Sequence, residues 1–184
     1  MLDQIDSSKK ELALHGNSDF PLAVYIDKYE GNGYPLHWHN EFEFAYVTEG
    51  EICATVDEKE IVLTEGQGIF INSKMLHSYC GKKNVYSEMP NILFSPMFLA
   101  DSEYSAIYQK YVMPFTQSSF SYIKIDGNTE WQKQILFFAA QIISLFYSKK
   151  YGYEMKIRNL ACEIFYEICA NNSVLPVKQS DQRD

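Results

Sequence analysis

Hydrophobic and polar positions alternate along short segments of the first two thirds of the chain, and this pattern predicts β-strands. In the segment EFEFAYVTEG, Phe42 and Phe44 fall on one face of a strand and Glu43 falls on the other. The segment EICATVDEKEIVL predicts a hairpin that turns at DEKE. Many such strands, separated by Gly and Pro, predict an all-β sandwich or barrel over residues 22–125.

The pattern becomes helical after residue 126. In the segment TEWQKQILFFAAQIISLFYSKK, apolar residues recur at alternating spacings of four and three, which is the seam typical of a coiled coil. A second helix is predicted from Glu154 to Ala170. The seam of the first helix consists of Trp131, Ile135, Phe138, Ile142 and Leu145.

The first helix also carries a second apolar stripe, so two of its faces need to be covered. One face can pack on the sheet or on the second helix, and the same helix of another subunit is the simplest partner for the other. We therefore expect a homodimer in which the seam is the contact. The alternative is that the barrel and the second helix of the same chain cover both stripes.

Composition and charge exclude several classes of protein. The 184 residues are 46% hydrophobic, which suits one globular domain with a substantial core. Asp and Glu outnumber Lys and Arg by 24 to 16, and the basic residues form no cluster. Since nucleic-acid binding depends on clustered Lys and Arg, this chain alone is not expected to bind DNA.

Three features predict a cytoplasmic protein that does not enter a membrane. The four cysteines include no CxxC pair and do not form a disulfide framework. The N-terminal segment lacks the apolar core of a secretion signal. The most apolar segment, ILFFAAQIISLFY, is too short to span a bilayer.

Aromatic residues are plentiful, with 14 Tyr and 12 Phe. They indicate either a sheet-rich core or a cavity with aromatic walls. The residues that we expect to line such a cavity and contact a ligand are Tyr25, Tyr46, Phe70, Tyr79 and Phe94.

The segment HWHNEFEF places candidate metal ligands close together. In a strand, His37 and His39 point to the same face, and Glu43 follows at an even spacing from both. A hairpin-connected strand could bring His77 beside them. Imidazole and carboxylate groups in such a cluster form a set that first-row divalent metals accept.

The spacing of these residues resembles the first motif of the cupin family. Gly31 is followed after five residues by His37-Trp38-His39, then after three residues by Glu43 and after six more by Gly50. The resemblance implies a mainly β fold, a double-stranded β-helix or jelly roll, followed here by the two amphipathic helices.

The second cupin motif is only partly present. Gly66 is present and His77 falls in register, whereas Asn72, Lys74 and Gly81 stand where the family prefers proline, glycine and asparagine. In metal-binding cupins the equivalents of His37, His39, Glu43 and His77 are the metal ligands. The departures affect the loop and leave that ligand set intact.

A single cupin barrel followed by two helices is similar to the N-terminal sensor and dimerisation domain of AraC-type transcription regulators. The resemblance covers residues 20–172. It implies a small-molecule effector in the barrel, a homodimer through the C-terminal helices, and DNA contact only through a helix-turn-helix domain beyond this chain. The expected organisation is an arm at 1–19, a barrel at 20–126, a helical segment at 127–172 and a polar tail at 173–184 that leads toward that domain.

The sequence leaves two alternatives open. AraC-type sensors often keep the histidine pattern and bind an organic effector, so the four polar side chains could hold zinc, nickel, manganese or iron, or could line an effector site without any cofactor. The alternative to a sensor is a small metal-dependent cupin enzyme, such as a dioxygenase or an isomerase.

Overall fold

Two antiparallel sheets pack face to face in the computed structural model, which describes residues 5–100 and 102–172. One sheet has the strand order β1-β8-β3-β6-β9 and the other has the order β2-β7-β4-β5. This arrangement confirms the predicted cupin jelly roll. The strands are β1 (Leu22–Tyr29), β2 (Gly33–His37), β3 (Phe42–Tyr46), β4 (Glu51–Val56), β5 (Lys59–Thr64), β6 (Gly68–Ile71), β7 (His77–Gly81), β8 (Ser87–Phe94) and β9 (Tyr122–Ile125).

The predicted hairpin forms between β4 and β5. Its two-residue loop consists of Asp57 and Glu58, which have φ values of 50° and 64°. Positive φ at both central positions is typical of the tight type I′ turn, whose twist matches that of the flanking strands. The hairpin forms one edge of the four-stranded sheet.

Strand alternation divides the apolar residues between two core layers. Along β3, Ala45 points into the space between the two sheets, and Phe42 and Phe44 point to the opposite face of the sheet. That opposite face of the five-stranded sheet is covered by the C-terminal helices, including Ile142 and Phe165. Phe42 and Phe44 therefore pack between the five-stranded sheet and the helices. They do not occupy the space between the two sheets.

Short helical segments lie between β8 and β9, and the two long helices follow β9. A 3₁₀ turn spans Pro96–Leu99 and a π-helical turn spans Tyr108–Val112. The α-helices are α1 (Met113–Thr116), α2 (Glu130–Ser148) and α3 (Tyr153–Asn171). None of the helices in the described part of the chain is both long and apolar enough to cross a membrane.

The seam of α2 packs mainly within its own chain. Ile135 and Ile142 have no exposed surface and belong to the core shared with α3 and the five-stranded sheet. Trp131, Phe138 and Leu145 are half-buried against the same core. The prediction that Ile135 and Ile142 contact a second subunit is therefore wrong, because α3 and the sheet already cover them. The predicted tail at 173–184 lies outside the described residues.

Candidate functional site

The cluster of polar residues predicted from the sequence is assembled from both sheets. His37 ends β2 and lies opposite His77, which begins β7, in the four-stranded sheet. His39 follows β2, and Glu43 lies on β3 in the five-stranded sheet. The segment from His37 to Glu43 is therefore not one continuous strand. The chain crosses between the sheets, and Glu43 approaches the histidines from the opposite wall.

The four side chains are close enough to act together. Candidate ligand nitrogens of His37, His39 and His77 all lie within 4.8 Å of one another. The Oε2 atom of Glu43 lies 3.1 Å from Nε2 of His39 and 3.1 Å from Nε2 of His77. The Tyr79 hydroxyl donates a hydrogen bond of 2.7 Å to Oε1 of Glu43. All of these residues are buried.

Backbone carbonyls fix the orientation of two imidazoles. Nδ1 of His37 donates to the Pro35 carbonyl at 2.9 Å, and Nδ1 of His77 donates to the Met75 carbonyl at 2.8 Å. Each ring therefore directs Nε2 into the cluster, as metal-binding histidines commonly do. Because Nε2 of neutral His77 would face a carboxylate oxygen of Glu43, either a proton or a cation must lie between them.

The residues present fit a divalent metal. Three imidazoles and one carboxylate form a recognised nitrogen and oxygen ligand set. His39 also has a buried Nδ1 atom without a hydrogen-bond partner among the described residues, and Oε2 of Glu41 lies 3.7 Å from it. A metal bound here would supply a Lewis acid with positions open to water or a ligand.

Burial and mutual charge set the protonation of the cluster. Burial alone raises the pKa of the Glu43 carboxyl, but His77 and His39 outweigh burial and hold it well below its usual range. Burial lowers the pKa of His77, and the Glu43 carboxylate outweighs burial and raises it. Burial and the charge of His77 together lower the pKa of His37 to about 4. These shifts favour an ionised Glu43 beside a protonated His77, and a neutral His37.

The N-terminal arm closes over this cluster. The Glu11 amide donates to the Trp38 carbonyl and the Trp38 amide donates to the Lys9 carbonyl, each at 2.9 Å. The Trp38 indole donates to the Ser8 carbonyl at 3.0 Å. Trp38 therefore fastens the arm to the barrel.

Two arm residues enter the site. Glu11 Oε2 lies 3.1 Å from Nε2 of His15 and 3.7 Å from Nε2 of His37. The Tyr34 hydroxyl donates to Glu11 Oε1, and Nδ1 of His15 lies 3.1 Å from the Tyr25 hydroxyl. Burial opposes ionisation of Glu11, but its contacts with His15 and Tyr34 outweigh burial and lower its pKa to about 2. Sequence analysis assigned no role to Glu11 or His15. Only the tertiary fold shows that this polar arm reaches the histidines.

A cavity of about 420 Å³ lies beside the cluster. Its walls include His37 and Glu43, the arm, Asp27 on β1, and Asn91 on β8. Of the aromatic residues predicted to contact a ligand, Tyr25 and Tyr79 line this cavity.

The other three predicted aromatic residues do not line the cavity. Tyr46, Phe70 and Phe94 pack in the core between the five-stranded sheet and the helices. Their strands place them on the face opposite Glu43 and Asn91, because successive residues of a strand point to opposite sides. The prediction that they wall the interior of the barrel is corrected accordingly.

Comparison with known proteins identifies relatives of the barrel. Residues 20–110 match the family model of the AraC-like ligand binding domain. The chain is 32% identical over 181 residues to an uncharacterized HTH-type transcriptional regulator, YdeC, of Bacillus subtilis (strain 168). The match covers 96% of this chain and 61% of that protein, so the chain spans about three fifths of the length of this relative.

Solved structures with partial likeness are cupins. A cupin protein from Bacteroides fragilis has 21% identity and a TM-score of 0.39 over 40% of this chain and 65% of that one. An RmlC-like cupin from Shewanella frigidimarina has 23% identity and a TM-score of 0.37 over the same shares of the two chains.

Proposed function

The chain belongs to the AraC-like ligand binding domain family through residues 20–110, and on that premise we propose that it senses a small molecule inside the barrel and thereby controls transcription in the cytoplasm. Sensing requires that the molecule bind two arrangements of the protein with different affinity. We assign DNA contact to a helix-turn-helix domain outside these 184 residues, since the matched relative is named an HTH-type transcriptional regulator and the chain spans 61% of it.

The observation that carries this proposal is the cavity of about 420 Å³ between the two sheets. Its volume suits a small organic molecule, and its walls combine aromatic rings with a few convergent polar groups. The arm forms part of those walls through Glu11 and His15. A ligand in the cavity would therefore touch both the barrel and the segment that closes over it.

A thermal-shift screen of small metabolites on the 184-residue chain tests the proposal. A ligand that binds the folded state raises the unfolding temperature by mass action. The matched variants are Ala13→Phe, which fills the cavity from the arm, and Ala140→Phe, which adds the same ring on the exposed face of α2. We expect at least one compound to stabilise the native chain and Ala140→Phe by several degrees and to leave Ala13→Phe unchanged. Equal stabilisation of all three proteins, or of none, contradicts a sensor cavity.

The histidine cluster is proposed to hold one divalent metal, either zinc, nickel, manganese or iron. The support is the inward Nε2 atoms of His37 and His77 and the carboxylate of Glu43 between His39 and His77. Metal analysis of protein purified without chelator should give close to one ion per chain, and His37→Ala should lose it. Metal content that is unchanged in His37→Ala would show binding elsewhere.

Dimerisation is proposed to use the outer surface of the helical layer. Phe137 and Tyr147 lie ten residues apart on the exposed face of α2, and their side chains are 61% and 55% exposed. A second copy of the chain would cover them. Phe137→Glu should then convert a dimer to a monomer in sedimentation equilibrium, whereas Val62→Glu, at an exposed apolar position of β5, is the charge-matched control and should remain a dimer. A native chain that sediments as a monomer contradicts this assignment.

The second candidate function is a small metal-dependent enzyme, which the same four polar residues would serve. A sensor needs no turnover, whereas an oxygenase does. If the purified chain contains stoichiometric iron and consumes oxygen with an added substrate, the enzyme is the correct function and the sensor proposal fails.

A further inference from the structure

Acidic groups dominate the charge of the cavity walls. Three carboxylates line the cavity, those of Glu11, Asp27 and Glu43, and none of the described lining residues is Lys or Arg. Two of the three have partners that can carry positive charge, because Glu11 contacts His15 and Glu43 contacts His39 and His77. Asp27 is therefore the one of these three carboxylates for which the described residues provide no such partner.

Asp27 lacks a cationic partner in the described part of the chain. Its hydrogen bond comes from the neutral Asn91 amide, whose Nδ2 donates to Asp27 Oδ2 at 2.7 Å. Burial raises the pKa of Asp27 to about 6, and the charges of Glu43 and Glu11 act in the same direction. A carboxylate in this position is costly unless a positive charge is placed beside it.

A second group beside Asp27 has an unused hydrogen-bonding capacity. Asn91 is 5% exposed, lines the cavity, and its Oδ1 accepts no hydrogen bond. Its orientation is set by Asp27, because only the amide nitrogen can donate to a carboxylate. Asn91 Oδ1 is therefore a buried acceptor without a donor among the described residues, and such an atom is costly to leave unpaired.

From this juxtaposition we infer that the cavity takes an organic ligand with a protonated amine, whose ammonium group binds between the Asp27 carboxylate and Asn91 Oδ1. The inference rests on the proposed sensor function and narrows its ligand class. An ammonium group carries only donors, which matches two neighbouring acceptors, and its charge compensates Asp27. Tyr25, two residues from Asp27 on the same strand, also lines the cavity, and aromatic rings attract cations.

Ligands of other charge suit the site less well. A carboxylate or phosphate would meet three acidic side chains without a Lys or Arg to receive it, and like charges in a buried cavity repel. A neutral hydroxyl could donate to Asp27 or to Asn91, but it would leave the carboxylate without a counter-charge. The expected order of affinity for one scaffold is therefore amine, then alcohol, then acid.

Two probe series of matched scaffold test this order. One series is tyramine, tyrosol and 4-hydroxyphenylacetate, and the other is 1,4-diaminobutane, 1,4-butanediol and succinate. Affinities are measured by isothermal titration calorimetry at pH 7.5 on chelator-treated protein. In at least one series we expect the amine to bind at least tenfold more tightly than the alcohol and the acid. Asp27→Asn should remove that preference, and Asp19→Asn on an exposed turn should retain it.

Three results overturn the inference: in both series an alcohol or acid that binds as tightly as its amine, a preference that survives in Asp27→Asn, or no amine that binds below 10 mM. The first two leave the sensor proposal standing if Ala13→Phe still abolishes binding of the compound. Failure of the metabolite screen, by contrast, removes the sensor proposal itself.

Discussion

Replacing Asp27 with Asn should stabilise the chain at neutral pH in the absence of ligand. The carboxyl of Asp27 has a pKa of about 6 in the folded protein, against an ordinary value of 3.8, chiefly because it is buried. A raised carboxyl pKa means that ionisation opposes folding. Asn keeps the side-chain shape and its oxygen can still accept the hydrogen bond from Asn91, so the variant removes mainly the charge.

The magnitude follows from the difference between the folded and the unfolded pKa. A rise from 3.8 to about 6 corresponds to a ceiling of about 3 kcal/mol. Asp27 retains partial contact with solvent, which reduces the expected gain to about 1–2 kcal/mol.

Because the pKa of Asp27 is raised on folding, its effect on stability changes over a defined pH range. Well below pH 3.8 the carboxyl is protonated in both the folded and the unfolded chain, so its charge contributes no difference between the native protein and the variant. As the pH rises from about 4 to about 6, Asp27 ionises more readily in the unfolded chain than in the folded chain. The free energy of unfolding of the native chain therefore falls. The advantage of Asp27→Asn should therefore grow across this window and stay constant above it.

Urea denaturation of chelator-treated protein between pH 4.5 and pH 8 measures the effect. Both proteins contain the histidine cluster. Its titration is therefore largely removed when the free energy of unfolding of one protein is subtracted from that of the other. Asp19→Asn, on an exposed turn, should match the native chain at each pH. A variant that is less stable than the native chain at pH 7, or a difference that does not change with pH, would refute the electrostatic account of Asp27.

Four further substitutions test the packing by urea denaturation. Phe42→Ala should cost about 3–5 kcal/mol, because its buried ring contacts four other rings; a loss below about 1 kcal/mol would contradict its place in the core. Ile142→Ala should cost about 2–5 kcal/mol even in a monomer, whereas Phe137→Ala should cost under about 1 kcal/mol. Gly50→Ala should cost about 1–3 kcal/mol, because φ is +83° and a Cβ would overlap the Ser87 hydroxyl oxygen. Native-like stability of Gly50→Ala would show that the turn can rearrange.

The jelly roll and the two long helices could be predicted because their signals are local. Alternation along β3 and the four-three spacing along α2 both survive in the structure. The spacing of His37, His39 and Glu43 also indicated a shared site, but the assumed continuous strand is not what brings them together. The histidines and Glu43 come from different sheets, and the chain crosses the barrel between them.

The rest of the cavity could not be predicted from local patterns. Glu11 and His15 belong to a polar arm, and their burial depends on backbone hydrogen bonds with Trp38, more than twenty residues away. Asp27 and Asn91 are 64 residues apart and meet because β1 pairs with β8. Such pairings arise from contacts across the fold, for which no short segment carries a signal.

The sequence by itself determined which residues share a face, because strand and helix periods are properties of the local backbone. It thereby determined that Phe42 and Phe44 lie on the face of β3 opposite Glu43, although not which face would line the cavity. The tertiary structure alone decided that the aromatic face meets the helices, that Ile135 and Ile142 are covered within one chain, and that a second carboxylate from the arm closes the site. A face becomes interior or exterior only when distant segments pack against it, and that choice depends on the free energy of the whole fold.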